Sequence, residues 1–237
     1  MGQGVGRRLA GTSGARRLGP EGLEAWELPG FLDPDECAAF MRLVEAERVP
    51  SPVFANRDDA EEGFRTSETC WLDPGHPLVA HVSRRIAALL GLPYAHSERL
   101  QGQRYAPGQR FAPHCDYFLT DRPYWPEERR RGGQRTWTAM VFLNAPERGG
   151  ETAFPRAGFS VVPEPGKLLA WSNLDREGEP NPLSLHEGRQ VEAGLKYILT
   201  LWFRERPCRK PGLAAALRRA VGRAKSFVAR RGGRGGR

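Results

Sequence analysis

The pattern of apolar positions predicts two helices in the first third of the chain. In the segment PGFLDPDECAAFMRLVEAERV, Asp33 is placed to cap a helix, Pro34 suits its first turn and Glu36 can complete the cap. The apolar stripe of this helix consists of Phe40, Leu43 and Val44. A second helix is predicted over about 76–90, where leucine, valine and isoleucine side chains share one face.

From about residue 95 onward, the pattern changes to short apolar runs separated by turns. The runs TWTAMVFLN, GKLLAWSN, LSLHEG and LKYILTLWF occupy residues 136–144, 166–173, 183–188 and 195–203. The first run is rich in β-branched and aromatic residues, and turn residues separate the runs. Several strands of this length predict a sandwich or barrel, so the expected fold class is mainly β with additional helices.

The last of these runs predicts a strand that is buried on both sides. Alternation places Lys196, Ile198, Thr200 and Trp202 on one face and Leu195, Tyr197, Leu199, Leu201 and Phe203 on the other. An ammonium group buried in such a strand needs an anionic partner. Lys196 therefore pairs with an acid of the protein, reaches the surface along its own stem, or binds a carboxylate ligand.

Charge separates the two ends of the chain from its centre. The 237 residues include 36 lysines and arginines and 28 acidic residues, for a net charge of +8. The positive excess lies in residues 1–19 and 204–237, and the segment between them is mildly acidic. We predict a disordered basic leader over 1–19, a globular domain over 20–206 and a basic, partly helical tail over 207–237. The tail is either solvated or contacts an anionic surface, a membrane or a nucleic acid.

The four cysteines lie far apart and form no CxxC motif. This spacing excludes a zinc ribbon or a thioredoxin-like site, and it shows no disulfide framework. No secretory signal and no run of about 18 apolar residues occurs. We therefore expect a soluble protein of the cytoplasm.

His114 and Asp116 stand two residues apart in the segment RYAPGQRFAPHCDYF. In a strand, this spacing points both side chains to one face, where an imidazole and a carboxylate can hold one metal ion. A second pair of this kind, His96 and Glu98, shows that the spacing alone decides nothing. A third ligand is needed to choose between the two pairs.

The candidates for the third ligand are His76, His81, His96 and His186. His186 ends a short predicted strand and precedes a turn, so its side chain would be presented at the end of the strand. His76 and His81 lie in or beside a predicted helix. Two histidines and a carboxylate on one face of a metal are typical of non-haem Fe(II) oxygenases. His186 is therefore the best candidate.

Four ordered blocks of the sequence resemble the 2-oxoglutarate- and Fe(II)-dependent dioxygenases of the prolyl 4-hydroxylase type. They are RYAPGQRFAPHCDYF, GGQRTWTAMVFLNAPERGGETAFP, VVPEPGKLLAWSN and SLHEGRQVEAGLKYILTLWFRE. The family pattern is Y-x-x-G-x-x-Y/F-x-x-H-x-D, then G-G-E-T, then a histidine followed ten residues later by a lysine. The resemblance extends over about residues 30–206.

The resemblance implies a double-stranded β-helix, that is, a jelly-roll or cupin-like core with supporting N-terminal helices. It implies that Fe(II) binds to His114, Asp116 and His186. Lys196 would pair with the distal carboxylate of 2-oxoglutarate, and Tyr105 and Thr152 would hydrogen-bond the same end. O2 would be the second cosubstrate and ascorbate the reductant.

The sequence defines the substrate and the residues that would contact it less closely than the metal ligands. Arg135 and Trp202 match positions near the open side of the site, where they serve either substrate contact or packing and structural pairing. The segment 119–133 would border the entrance as a lid or as a solvated loop, and Phe111 stands where the family often has tyrosine. The favoured reaction is hydroxylation of a prolyl residue in a peptide or protein. The alternatives are the same chemistry on a free amino acid or small natural product, and a catalytically silent binding protein with a basic docking tail.

Overall fold

The computed structural model describes residues 4–51 and 64–209. Its helices are α1 (Val5–Ala10), α2 (Pro34–Glu47), α3 (Pro77–Leu90) and α4 (Trp125–Arg131), and short 3-10 helices span Tyr94–His96 and Pro182–Ser184. Its strands are β1 (Arg16–Leu18), β2 (Ala25–Leu28), β3 (Val49–Pro50), β4 (Glu68–Trp71), β5 (Gln101–Tyr105), β6 (Phe111–His114), β7 (Arg135–Phe142), β8 (Arg148–Gly149), β9 (Thr152–Phe154), β10 (Phe159–Val161), β11 (Leu168–Ser172), β12 (His186–Gly188), β13 (Val191–Ala193) and β14 (Lys196–Arg204). The fold is mainly β, as the sequence predicts.

Two antiparallel sheets form the body of the domain. In the described part of the chain, the larger has the strand order β1-β2-β11-β7-β14-β5-β4-β3 and the smaller has the order β10-β9-β12-β6; β13 and β8 form a separate pair. Between the two sheets lies an apolar cluster that joins Met140 and Phe142 of the larger sheet to Phe154 and Val161 of the smaller one. A second cluster forms on the other face of the larger sheet, where α2 and α3 pack. The predicted supporting helices are therefore confirmed.

Helix α2 begins where the sequence predicts. The Asp33 carboxylate accepts a hydrogen bond from the Glu36 backbone N–H at 2.8 Å, and the Glu36 carboxylate accepts one from the Asp33 N–H at 3.1 Å. This reciprocal cap satisfies two backbone donors that a helix start would otherwise leave unpaired. Phe40 and Val44 of the predicted stripe are buried. Helix α3 matches the second predicted helix and ends at Gly91, whose φ of 67° favours glycine.

Residues 4–19 form a helix and a strand, so the prediction of a disordered segment over 1–19 is wrong for this described part. Val5 and Leu9, one turn apart on α1, are 2% and 1% exposed and belong to the same apolar cluster as α3. Arg8 Nε donates to the Leu89 carbonyl of α3 at 3.1 Å. Strand β1 then pairs with β2 and widens the larger sheet. Burial of these apolar side chains outweighs the weak helical tendency of a short, glycine-rich segment.

Replacing Leu9 with alanine tests this packing. We expect the free energy of unfolding to fall by about 2–4 kcal/mol, because a buried leucine loses its transfer free energy and leaves a cavity. Urea denaturation followed by circular dichroism measures the change. Leu119→Ala is the matched control, since Leu119 is 43% exposed and its loss should cost less than about 0.5 kcal/mol. Equally small effects of both substitutions would mean that α1 adds nothing to stability.

The segment 119–133 contains a helix, so its interpretation as a loop is wrong for the residues of α4. Pro126 lies in the first turn with Glu127 and Glu128, and three arginines lie in the last turn, a distribution that suits the helix dipole. Glu128 is buried, and its carboxylate accepts a hydrogen bond from Arg204 at 2.6 Å. This contact anchors α4 to the end of β14. A role of the segment as a lid stays a prediction.

Most of the C-terminal tail lies outside the described residues, so its partly helical character and its anionic partners stay predictions. Up to Arg209 the chain is still attached to the domain, since the Cys208 backbone N–H donates to the Ala95 carbonyl at 3.0 Å. None of the four cysteines, all of which lie in the described residues, forms a disulfide bond. None of the helices within 4–51 and 64–209 combines the length and the apolar character that a membrane span requires.

Candidate metal centre

Three side chains converge at one end of the smaller sheet. Strand β6 ends with His114, Asp116 follows two residues later, and His186 begins β12, where it pairs in register with His114. Asp116 Oδ1 lies 4.0 Å from His114 Nε2, and Asp116 Oδ2 lies 3.8 Å from His186 Nε2. One ligand atom of each residue lies within 4.8 Å of the others, and all three residues are buried. The structure thus brings together the three predicted metal ligands.

Both imidazoles are held in the tautomer that a metal requires. His114 Nδ1 lies 2.9 Å from the Ala112 carbonyl oxygen, and His186 Nδ1 lies 2.9 Å from the Ser184 carbonyl oxygen. A carbonyl only accepts, so each Nδ1 carries a proton, and Nε2 is the nitrogen that remains for a metal. Backbone hydrogen bonds of this kind orient metal-binding histidines in proteins. Two imidazoles that present Nε2 and one carboxylate therefore fit Fe(II).

Asp116 stays ionised despite its burial. Burial by itself raises the pKa of a carboxyl, but the two imidazoles, a nearby arginine and a hydroxyl group outweigh it and lower the pKa of Asp116 to about 2. The arginine is Arg135, and the hydroxyl belongs to Thr138, whose Oγ1 donates to Asp116 Oδ2 at 2.7 Å. The carboxylate is therefore available as an anionic ligand at neutral pH.

Aromatic rings enclose the two histidines. Phe111 stacks on His114 with ring centres 3.6 Å apart, and Trp171 meets His186 edge to face at 4.7 Å. Phe154 lies beside His186, with ring centres 5.6 Å apart. Phe111, at the position where the resembled family often has tyrosine, thus covers a ligand without offering a hydroxyl. These rings pack against both imidazoles and restrict their orientation.

One cavity connects the metal ligands with the predicted cosubstrate residues. Its lining includes His114, Asp116, His186, Tyr105, Thr152 and Lys196. Lys196 lies directly opposite Tyr105 in the antiparallel pair of β14 and β5, and Thr152 enters from β9 of the other sheet. A ligand that binds the metal at one end can therefore reach an ammonium group and two hydroxyl groups in the same cavity.

Lys196 is buried without a protein counterion. The residue is 1% exposed, and no acid within 4–51 and 64–209 forms an ion pair with its Nζ. Burial lowers the pKa of Lys196 to about 7, and the Coulombic effect of Glu151 acts in the opposite direction. Pairing with a protein acid and reaching the surface are both inconsistent with this environment. Lys196 Nζ lies 5.2 Å from the centre of the Tyr105 ring and 5.6 Å from that of Phe142, and its pairing with a carboxylate ligand stays a prediction.

The two predicted substrate residues differ in their placement. Trp202 lines the cavity, and its Nε1 is buried with no hydrogen-bond partner among the described residues. Arg135 lies outside the cavity lining and donates two hydrogen bonds to Glu98, at 2.7 and 2.9 Å. Its guanidinium stacks 4.1 Å from the centre of the Trp202 ring. Arg135 thus makes structural contacts that hold Trp202, and substrate contact by either residue stays a prediction.

The second histidine–acid pair, His96 and Glu98, serves structure. Burial acts to raise the pKa of Glu98, but ion pairs with Arg135 and Arg204 lower it overall. His96 Nδ1 lies 3.0 Å from the Arg204 carbonyl oxygen. The metal-type cluster found in the described residues includes neither member of this pair.

Thr138 is a residue of the site that sequence analysis does not identify. It lies within β7 at even spacing from Met140 and Phe142, which belong to the apolar cluster between the sheets. The hydroxyl of Thr138 on this inward face was the available signal, because alternation places it, like Thr136, on the same face as Met140 and Phe142. The sequence gives no indication that it meets Asp116.

Comparison with known proteins agrees with this chemistry. The profile of the 2OG-Fe(II) oxygenase superfamily matches residues 100–204. A protein named "Putative prolyl 4-hydroxylase" from Acanthamoeba polyphaga mimivirus is 31% identical over 180 residues, which cover 76% of this chain and 73% of that protein. Prolyl 4-hydroxylase subunit alpha-3 of Rattus norvegicus is 34% identical over 189 residues, which cover 75% of this chain and 34% of that subunit.

A solved structure shows the same fold. The viral collagen prolyl hydroxylase of Paramecium Bursaria Chlorella virus-1, in its 2OG complex, has a TM-score of 0.61 and 27% identity, over 76% of this chain and 95% of that one. This similarity confirms the jelly-roll core predicted from the sequence. Identity over most of the length of the mimivirus protein, added to the geometry of the metal ligands, shows that this chain belongs to the prolyl 4-hydroxylase family of Fe(II)- and 2-oxoglutarate-dependent dioxygenases.

Proposed function

We propose that this protein hydroxylates prolyl residues in peptides or proteins. The observation that carries the proposal is one cavity lined by a His-Asp-His cluster and by Lys196, in a chain related to prolyl 4-hydroxylases. The viral enzyme of similar structure is described as a collagen prolyl hydroxylase, which supports a peptidyl substrate.

The protein side chains bind, orient and shield, while the cofactors supply the oxidation. Fe(II), with 2-oxoglutarate and O2, provides the chemistry that inserts one oxygen atom into a substrate C–H bond and releases succinate and CO2. His114, Asp116 and His186 supply three ligand atoms, so further coordination positions stay open to the cosubstrates. Lys196 would neutralise the distal carboxylate of 2-oxoglutarate, and Tyr105 lines the same cavity, where its hydroxyl donates to Gln103 Oε1 at 2.6 Å.

Trp202 offers a donor that suits a prolyl residue. Its indole N–H is buried and lines the cavity, with no acceptor among the described residues. A buried donor without a partner is unfavourable, so an acceptor from a bound substrate would gain a full hydrogen bond there. Proline within a peptide presents a carbonyl oxygen and no N–H, which matches a side chain that can only donate.

Mass spectrometry of peptides incubated with the protein, Fe(II), 2-oxoglutarate and ascorbate tests the proposal. We expect a proline-containing peptide to gain the mass of one oxygen atom, in step with succinate formation. The same peptide with alanine in place of proline should stay unmodified. Oxidation of free amino acids or small natural products, with proline peptides untouched, would contradict a peptidyl substrate. If no condition produced succinate, a binding protein without catalysis would be favoured.

A further inference from the structure

A chain of two hydrogen bonds ends on the metal-binding carboxylate. Asn173 Nδ2 donates to Thr138 Oγ1 at 2.9 Å, and Thr138 Oγ1 donates to Asp116 Oδ2 at 2.7 Å. Asn173 and Thr138 are both 0% exposed. The three residues come from distant parts of the sequence, so the contact exists only in the folded domain.

The direction of both hydrogen bonds follows from which of the three side chains carry a proton to donate. An ionised carboxylate can only accept, so the single hydroxyl proton of Thr138 is donated to Asp116. Thr138 Oγ1 then offers lone pairs alone to its other neighbour, and the amide nitrogen of Asn173 is the group that donates to it. The opposite orientation of the amide would place two acceptors against one hydroxyl proton.

Two backbone hydrogen bonds fix Asn173 in place, although its side-chain oxygen is buried without a partner among the described residues. Its N–H donates to the Thr136 carbonyl at 2.9 Å, and its carbonyl accepts from the Asn181 N–H at 3.0 Å. Its side-chain Oδ1 is buried and finds no hydrogen-bond partner within the described ranges. A buried polar atom without a partner costs about 1–3 kcal/mol. Such a cost is tolerated where the rest of the side chain has a function.

We propose that Thr138 and Asn173 are positioning residues for the metal, acting through Asp116. The hydroxyl holds one carboxylate oxygen in a fixed direction, and the amide prevents the hydroxyl from rotating away. Metal binding then requires no reorientation of the buried carboxylate. The proposal concerns the metal centre of the proposed hydroxylase and is independent of which substrate that enzyme takes.

Thr138→Val tests the proposal without turnover, since valine keeps the shape of threonine and removes the hydroxyl. Isothermal titration of the metal-free protein with Mn(II) measures binding to the centre. We expect Thr138→Val to weaken Mn(II) binding by about 10- to 100-fold, the usual effect of losing an outer partner of a metal ligand. Thr138→Ser restores the hydroxyl and should recover most of the affinity.

Thr136→Val is the matched control, because Thr136 is also buried in β7 but donates to the Phe203 carbonyl at 3.2 Å. It should lower the melting temperature of the metal-free protein about as much as Thr138→Val and leave Mn(II) affinity unchanged. Equal Mn(II) affinity of Thr138→Val and the unmodified protein, or equal weakening by both valine variants, would overturn the proposal.

Asn173→Ala provides a second test if Thr138→Val does not fold. It leaves the hydroxyl in place but removes the group that orients it, so we expect a loss of Mn(II) affinity of roughly 3- to 10-fold, smaller than that of Thr138→Val. Unchanged affinity in Asn173→Ala would remove Asn173 from the proposal. Because Mn(II) binding needs no peptide, failure of the proposed prolyl hydroxylation would leave both of these results interpretable.

Discussion

Asp116→Ala is expected to abolish Fe(II)-dependent succinate formation. Asp116 supplies the anionic ligand of the cluster, and its carboxylate lies about equally far from both imidazoles, at 4.0 and 3.8 Å. Two neutral histidines alone make a poor site for a hard divalent ion. We expect activity to fall by at least about a thousandfold. This exceeds the roughly 10- to 100-fold loss that is typical when a residue hydrogen-bonded to a metal ligand is replaced.

The fold is measured separately, because the substitution also removes the acceptor of the Thr138 hydroxyl. Asp121→Ala is the control, since the Asp121 side chain is 81% exposed and lies outside the metal cluster. Succinate production, Mn(II) titration and circular dichroism distinguish loss of the site from loss of the fold. Full activity of Asp116→Ala would remove this residue from the metal ligands.

Lys196→Ala is expected to raise the 2-oxoglutarate requirement sharply. Removal of one partner from a buried, hydrogen-bonded charge pair costs about 2–4 kcal/mol, which corresponds to roughly 30- to 1,000-fold in affinity. Titration of the Mn(II)-loaded protein with 2-oxoglutarate measures this loss directly. Lys167→Ala is the matched control: Lys167 is also buried, but it pairs with Glu164 and lies outside the cavity lining. An unchanged affinity in Lys196→Ala would mean that the distal carboxylate binds elsewhere.

The same lysine gives 2-oxoglutarate binding a pH dependence. Burial lowers the pKa of Lys196 to about 7, so the protein without cosubstrate loses this charge as the pH rises through neutrality. A bound dicarboxylate favours the ammonium form, and binding above that pKa must therefore take up a proton. We expect the affinity to fall by up to about tenfold per pH unit above neutrality, and this slope should vanish in Lys196→Ala. A pH-independent affinity in the unmodified protein would contradict the assignment.

The sequence predicts best those elements whose signals are local. The cap of α2 needs Asp33, Pro34 and Glu36 within four positions, and the structure forms it as predicted. Strand alternation is also local: Lys196 and Trp202 both line the cavity, while Tyr197 and Leu199 belong to the helix-side cluster. The three metal ligands were also predicted correctly, because they belong to sequence motifs that follow one another in the order and with the spacing of the resembled family.

Elements that depend on distant contacts were missed. Helix α1 is six residues long, and its order depends on burial of Val5 and Leu9 against α3, which lies far along the chain. Composition alone therefore favours disorder there. Helix α4 carries a dipole-matched charge pattern, but Pro123 and Tyr124 before it, and Trp125 and Pro126 in its first turn, are equally typical of a loop.

Contacts between polar side chains are the hardest to foresee. Arg135 pairs with Glu98, which sequence analysis considers as a metal ligand, and Thr138 reaches Asp116 across 22 positions of sequence. Neither contact produces a periodic pattern in the sequence, since each depends on which strands become neighbours. The register between β7 and β14, in which Thr138 lies opposite Trp202, exists only once the sheet has formed.

In strand β14, one alternation of side chains places both Lys196 and Trp202 in the cavity. Lys196 stands at its first position and Trp202 six residues later, and both face the cavity. Insertion or deletion of one residue between them would turn one of the two toward the helices, because the side-chain period is two. A change of two residues would keep both inside but shift their separation by about 7 Å. A change in the length of β14 therefore disturbs the cavity, whereas an exchange of one side chain along the strand leaves the placement of Lys196 and Trp202 intact.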